Sequence, residues 1–281
     1  MKKIYILLFA FIAGLSGKAA AQETSDKNDF GTDLSLGIDK KLAPGLSLGI
    51  EGGMRTQSNS ERIDRYTIGA DLSYKFLKLN KFSMKIGGGF EYMWVQKLSE
   101  TKEKHGDVLD EATGEFVRGV NGYNITDRYW RNRHRTTLSV SGEYSPSKRW
   151  SFSLKESVQY NHYCEEDSVG RTKIRYRYND DDEPYTTTTR DLKAVNPKDR
   201  FVLRSKFTAE YNIKGLPINP FASVDYGCGL NYTAHKWKIS AGADYKINKK
   251  NKLTAFYRFQ TDDDDDEPNG HIVGVGYKLS F

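Results

Sequence analysis

The sequence has few cysteines and no long apolar segment. Only Cys164 and Cys228 occur in 281 residues, which excludes a small fold held together by many disulfides. A single bridge between them is left open but is not favoured, because they fall on non-neighbouring strands of the pattern below and disulfide geometry is restrictive. No run of 18 consecutive apolar residues exists, so no transmembrane helix is expected.

The chain also lacks a strong excess of charge of one sign. Of its 43 Lys and Arg residues, Lys2, Lys3 and Lys18 precede the cleavage site predicted below, which leaves 40 basic residues against 37 acidic ones. A balance this close to neutral gives no reason to expect nucleic acid as a partner.

The first 21 residues have the composition of a secretory signal peptide. A basic start is followed by an apolar segment over residues 4–15 and then by small residues, the order that signal peptidase substrates share. The residues expected at the cleavage site are Ala19, Ala21 and Gln22. We therefore predict a signal peptide over residues 1–21 and one exported domain over residues 22–281.

Most of the exported domain alternates apolar and polar residues with period two. Residues 68–76, for example, place Ile, Ala, Leu, Tyr and Phe on one face, opposite Gly, Asp, Ser and Lys. Eleven such runs can be counted, many of about ten residues, the length a tilted strand needs to cross a bilayer. A soluble β-sandwich alternates as well, so this pattern alone does not decide between the two.

Two further features, in addition to the length of the runs, favour a membrane barrel. Aromatic residues gather at strand ends, as in an interfacial girdle. Short turns alternate with long polar loops at residues 96–127 and 164–199. The sequence therefore predicts an all-β fold: one antiparallel transmembrane outer-membrane β-barrel with short periplasmic turns and long extracellular loops.

The expected strand number is about twelve, with ten as the alternative. Eleven runs are visible, but bacterial barrels with both ends in the periplasm have an even number of strands. Either residues 22–30 supply a weak first strand, or the N-terminus threads the lumen, or one run is misassigned.

The final strand carries the most specific motif. Its apolar face consists of Val273, Val275, Tyr277, Leu279 and Phe281. The segment "GVGYKLSF" resembles the terminal insertion signal that the barrel-assembly machinery reads in outer-membrane proteins. Together with "DFGTDLSLGIDKKLAPGLSLGIEGGMR" and "RYWRNRHRTTL", it is similar to a Bacteroidota-type barrel family known as domain of unknown function 2490. The similarity covers residues 29–281.

This resemblance implies a cellular location rather than an activity. It implies a bacterial outer membrane, with lipid and lipopolysaccharide as surroundings and the assembly machinery as a partner during insertion. The family offers no catalytic or binding residues to carry over, and no cofactor.

Charged residues on the polar faces are expected to meet in the lumen. The basic ones are Arg131, Arg133, Arg135, Lys155, Arg200, Arg204 and Lys206. The acidic ones are Glu51, Asp71, Glu91, Glu143 and Glu210. They predict an ion-pair lattice that fills a narrow barrel, which is favoured over a basic constriction that selects anions.

The remaining polar clusters are interpreted as surface features. The acidic run at 262–267 is read as a solvated loop rather than a cation site. The segment around residues 173–189 is read as a raised hairpin that exposes Tyr176, Tyr178 and Tyr185. His134 is expected to face outward beside Asn132, without a serine partner.

No catalytic, metal or cofactor-binding residue is therefore predicted, and the protein is not expected to be an enzyme. The first functional hypothesis is a passive channel or structural barrel with a charged lumen. The alternative is a closed barrel that binds or adheres through its long loops, and a lipase- or protease-type barrel is a remote third.

Overall fold

The structure, a computed structural model, describes residues 29–110, 112–113, 115–179, 183–262 and 269–281. These residues form strands and turns and contain no α-helix. No helix in this part of the chain is long and apolar enough to cross a membrane, a finding that does not bear on crossing by strands. The predicted signal peptide at residues 1–21 lies outside the described residues.

Fifteen strands occur in the described ranges. They are β1 (Asp29–Ala43), β2 (Leu46–Gln57), β3 (Arg62–Lys78), β4 (Phe82–Lys97), β5 (Glu100–Leu109), β6 (Phe116–Thr126), β7 (Tyr129–Tyr144), β8 (Trp150–Tyr163), β9 (Glu166–Tyr178), β10 (Pro184–Val195), β11 (Lys198–Tyr211), β12 (Ile218–Gly229), β13 (His235–Lys246), β14 (Asn251–Asp262) and β15 (Gly270–Ser280).

Eleven of these strands form a closed barrel. Around the wall the order is β1, β2, β3, β4, β7, β8, β11, β12, β13, β14 and β15, after which β15 pairs with β1. All neighbours run antiparallel except β1 and β15, which are parallel, with Asp29 opposite Gly270 and Asp39 opposite Ser280. The all-β closed barrel is confirmed, whereas the expected count of about twelve is not, because direct pairing of β1 with β15 leaves no place for another strand.

The two rims of the barrel differ, as the loop lengths predict. One rim, here called the short-turn rim, carries the connections at 44–45, 79–81, 145–149, 212–217 and 247–250. The other, the long-loop rim, carries both long insertions and also the start of β1, where the Asp29 amide donates to the Asn269 carbonyl at 3.0 Å.

The outer surface of the barrel is an exposed apolar belt. Leu36 and Leu138 are exposed by 68% and 67%, and every barrel strand carries at least one exposed large apolar side chain. Tyr74, Tyr144 and Trp150 stand exposed near the short-turn rim, where aromatic residues were expected. The apolar side of the alternation therefore points outward, and the polar side fills the interior.

The two long insertions, expected to be loops, form a four-stranded sheet in the order β10-β9-β6-β5. Only two residues separate each of these strands from a barrel strand, at 98–99, 127–128, 164–165 and 196–197. The barrel strands concerned, β4, β7, β8 and β11, are neighbours in the same order. The sheet, here called the rim extension, thus continues one sector of the wall beyond the long-loop rim.

An inward glycine allows an aromatic ring to lie across the inner wall. Gly274 on β15 is paired with Phe256 on β14, and a Cβ at Gly274 would come within 2.1 Å of the Phe256 ring. The ring also stacks under the Arg258 guanidinium, at 4.7 Å from its centroid. A side chain at Gly274 would displace both groups.

We expect Gly274→Ala to lower the free energy of unfolding by about 1–3 kcal/mol, because Phe256 must leave its rotamer. Denaturant titration of the refolded protein would measure the change. Gly227→Ala is the matched control, since a Cβ there meets its nearest atoms at an ordinary 3.6 Å. Equal effects from the two substitutions would contradict this account.

Candidate functional site

All twelve charged residues predicted for the lumen lie on inward-facing strand positions. Cross-strand pairing places Arg135 opposite Glu91 and Asn161, and Lys155 opposite Lys206. Glu143 accepts from the Ser151 hydroxyl, and Glu210 accepts from the Asn219 amide at 2.6 Å. The structure therefore brings these residues into one interior, but they form two distinct levels rather than one cluster.

The upper level, near the long-loop rim, is a layer of buried cations around one tyrosine. The guanidinium carbons of Arg131, Arg133 and Arg200 lie 5.4, 5.3 and 5.5 Å from the centroid of the Tyr163 ring. Arg200 also lies 4.6 Å from the ring of Tyr232. Aromatic faces attract cations, and guanidinium groups are the most suited to stacking on them.

Hydrogen bonds fix this layer to the wall and to the rim extension. Arg133 donates to the Tyr163 hydroxyl at 3.0 Å and contacts the Met93 sulfur. Arg131 donates to the carbonyls of Cys164 and Asn196, at 2.9 and 2.6 Å, where the chain enters and leaves the β9–β10 hairpin. One arginine thus holds both strands of the hairpin in place.

The side chains at this level leave almost no accessible surface. Met93, Val95 and Arg133 are 1–2% exposed, and Gln260 on the facing wall is 1% exposed. We call Met93, Val95, Arg131, Arg133, Tyr163 and Arg200 the plug layer. All six side chains are less than 9% exposed, as is usual for residues of a protein core.

The lower level contains ion pairs and open space. Arg135 pairs with Glu91 at 2.9 Å, and Arg204 forms a two-point contact with Asp225. Cavities of about 460 and 360 Å³ lie here, both bordered by Glu51, Glu91 and Arg135. The interior therefore contains both ion pairs and cavities.

Asp225 provides a test of these ion pairs, because it is 8% exposed and its removal would leave the half-buried Arg204 without its carboxylate partner. We expect Asp225→Ala to cost about 3–5 kcal/mol of unfolding free energy, whereas Arg204→Met combined with Asp225→Leu should cost much less. Denaturant unfolding would give both values.

The matched control is Asp39→Ala. Asp39 pairs with Lys278 at 3.1 Å, with both side chains more than a third exposed, so the expected cost is about 0–1 kcal/mol. A double variant as unstable as Asp225→Ala would show that the pair is not coupled.

The rim extension has one strongly basic face. Its cations, here called the basic face, are Lys102 and Lys104 on β5, Arg171, Lys173, Arg175 and Arg177 on β9, and Lys193 on β10. They share a face because Gly122 and Asn124 of β6 pair with Lys104 and Lys102 on one side and with Arg175 and Lys173 on the other. An extra residue in β6 at Asn121 turns Arg118 to the opposite face.

Two carboxylates stand among these cations. Asp191 binds Arg171 at 2.7 Å and Lys173 at 2.6 Å, and these hydrogen bonds hold the pKa of Asp191 well below its usual range. Glu100 lies 3.1 Å from Lys102. Seven cations against these two carboxylates leave the basic face with a net positive charge.

The opposite face of the rim extension is aromatic. Tyr123 packs edge-on against Tyr176, and Phe116 against Tyr178. Tyr176 on this face is 42% exposed, and Tyr185, which pairs with Arg177 on the basic face, is 45% exposed, as expected for both. Tyr178 is not: it is half-buried, and its hydroxyl accepts from the Leu109 amide.

The outward histidines do not form a hydrolytic triad. His134 faces outward, as predicted, and contacts the rings of Phe90, Tyr92 and His162. His162 lies 2.8 Å from Asp199, which also accepts from the Tyr160 hydroxyl. Within the described residues, no serine or cysteine donates to either histidine, so this is an acid–histidine pair without a nucleophile.

The remaining sequence features are the two cysteines and the acidic run. Cys164 and Cys228 are both free thiols. Asp262, the first residue of the acidic run, pairs with Lys236 at 2.5 Å, and residues 263–268 lie outside the described residues. No group of three or more potential metal ligands occurs in the part of the chain that the structure describes.

Sequence reasoning missed two residues of interest. Tyr163, at the centre of the plug layer, falls on the polar side of the alternation, outside the apolar run that ends at Tyr160. Glu156 occupies an outward position in the middle of β8, paired in register with Val140 on β7 and Ser205 on β11. Its carboxylate accepts from the Ser205 hydroxyl at 2.6 Å, and an interruption in an apolar alternation was the signal available.

The chain matches no known family model, and no curated protein is significantly similar to it. The resemblance to domain of unknown function 2490 therefore stays a prediction.

Proposed function

We propose that this protein is an outer-membrane β-barrel, closed by its own side chains, that binds a partner outside the cell through the rim extension. The exposed apolar belt supports the location. Monomeric soluble proteins rarely expose contiguous apolar patches larger than a few hundred Å², whereas this belt encircles the barrel. In hydrocarbon such a belt is favourable, and barrel closure satisfies the backbone.

The proposed orientation follows from the rims. Outer-membrane barrels carry short turns in the periplasm and longer loops outside, which puts the rim extension at the cell surface. Lipid and lipopolysaccharide would surround the belt. The barrel-assembly machinery would read the terminal strand, from Val273 to Phe281.

The plug layer is the observation that carries the closed state. Three arginines stack on one tyrosine with almost no exposed surface, so ions would meet a packed layer rather than a constriction. A small-solute channel is the second candidate, and it is supported by the two cavities beneath that layer.

Planar-bilayer conductance of the refolded protein separates the two candidates. We expect no steady conductance from the wild type and discrete steps from the combined variant Arg131→Ala, Arg133→Ala and Tyr163→Ala, because it removes most of the plug layer. Arg135→Ala is the matched control on the same strand, since Arg135 borders the cavities instead. Steady anion-selective conductance of the folded wild type would establish the channel.

Glu156 tests the membrane location separately. A carboxylate facing hydrocarbon is unfavourable, so Glu156→Gln and Glu156→Val should each raise the free energy of unfolding in phosphatidylcholine bilayers by about 1–2 kcal/mol. Glu143→Gln, the same change at an inward position of β7, should give no such gain. A loss of stability in both Glu156 variants would argue against lipid contact at this position.

A further inference from the structure

The cations of the basic face lie in a row along β9. On β9, Arg171, Lys173, Arg175 and Arg177 occupy alternate positions of one strand. Alternate residues of a strand are about 6.6–6.8 Å apart, so the four cations span roughly 20 Å. Lys102 and Lys104 on β5 and Lys193 on β10 widen this row on either side.

Some cations of the row bond to other residues of the protein, and others are open to a ligand. Arg175 donates to the carbonyls of Tyr123 and Ile174 and to Asn124, so it stiffens the sheet. Asp191 holds Arg171 and Lys173. Lys104 and Arg177 are exposed and Lys193 is half-buried, and no ion pair joins these three to a carboxylate of the described residues.

Neutral hydrogen-bonding groups lie between the cations. Cross-strand pairing puts Thr189 beside Lys173, Thr187 beside Arg175 and Tyr185 beside Arg177. Hydroxyl groups of this kind donate to and accept from sugar hydroxyls. A surface that combines a line of cations with hydroxyl groups suits a ligand that repeats both acidic groups and hydroxyls along its length.

From this geometry we propose that the basic face binds an acidic polysaccharide laid along β9. The inference rests on the proposed function, since it names the chemical class of the external partner. Charge complementarity would supply the attraction. Backbone pairing of β9 with β6 and β10, and the hydrogen bonds of Arg131 at both ends of the β9–β10 hairpin, keep the row straight before binding. Binding of this type weakens as salt screens the exposed charges.

The test uses the full-length protein refolded in detergent micelles. Its affinity for polygalacturonate would be measured by calorimetry at two salt concentrations, with uncharged dextran for comparison. The combined variant Lys104→Gln, Arg177→Gln and Lys193→Gln removes the three cations that no ion pair constrains. The control variant Lys81→Gln, Lys148→Gln and Lys249→Gln removes the same charge from the short-turn rim.

We expect the wild type to bind polygalacturonate and not dextran. The first variant should bind about tenfold more weakly, and the control should stay within about twofold of the wild type. Absence of polygalacturonate binding, or equal weakening in both variants, would overturn the proposal. So would tighter binding to phosphatidylglycerol vesicles that the first variant alone loses, because the occupant would then be a lipid surface.

These results separate the inference from the proposed function. A barrel that does not conduct and does not bind the polysaccharide contradicts only the identity of the partner. A barrel that conducts steadily and still binds contradicts the closed state and leaves the binding surface in place.

Discussion

Closure of the sheet between β1 and β15 is the constraint on which the rest of the structure depends. Eleven strands joined by hairpins alternate in direction, so the first and last must run parallel when they meet. The register of the closing pair must match the summed stagger of all the other pairs, and the pleat of each strand then places alternate side chains inward and outward. The apolar belt, the ion pairs and the plug layer all require that the sheet close on itself.

A barrel of this width has an interior that water or side chains must occupy. Near the long-loop rim, arginine and tyrosine fill it, and further down carboxylates and cations leave cavities. Burial of three guanidinium groups would be costly if they had only one another as neighbours. The Tyr163 ring and the carbonyls of Cys164 and Asn196 offset that cost, and the same contacts attach the rim extension to the barrel.

The loop lengths predicted the difference between the rims, and the period-two pattern predicted the barrel, with the twelve charged residues on its polar side. It could not predict the rim extension, because β5 reads "ETKEKHGDVL" and has no apolar face to reveal a strand. Strand β5 is held in an extended conformation by backbone pairing with β6 and by its short connection to β4 in the barrel wall. The strand number failed for another reason: the rule of even numbers assumes antiparallel closure, and here the closing pair is parallel. Tyr163 was missed because cation–aromatic stacking joins residues from three strands.

The seam between β1 and β15 also gives the molecule a preferred line of opening. Its two strands lie at opposite ends of the described chain, so their pairing carries the largest loop-closure entropy of any pair in the wall. Parallel hydrogen bonds are slanted and slightly weaker than antiparallel ones. We therefore expect these two strands to pair last during folding and to separate first during unfolding. Before this pair forms, the sheet is an open ribbon with two free edges, each able to pair with another strand.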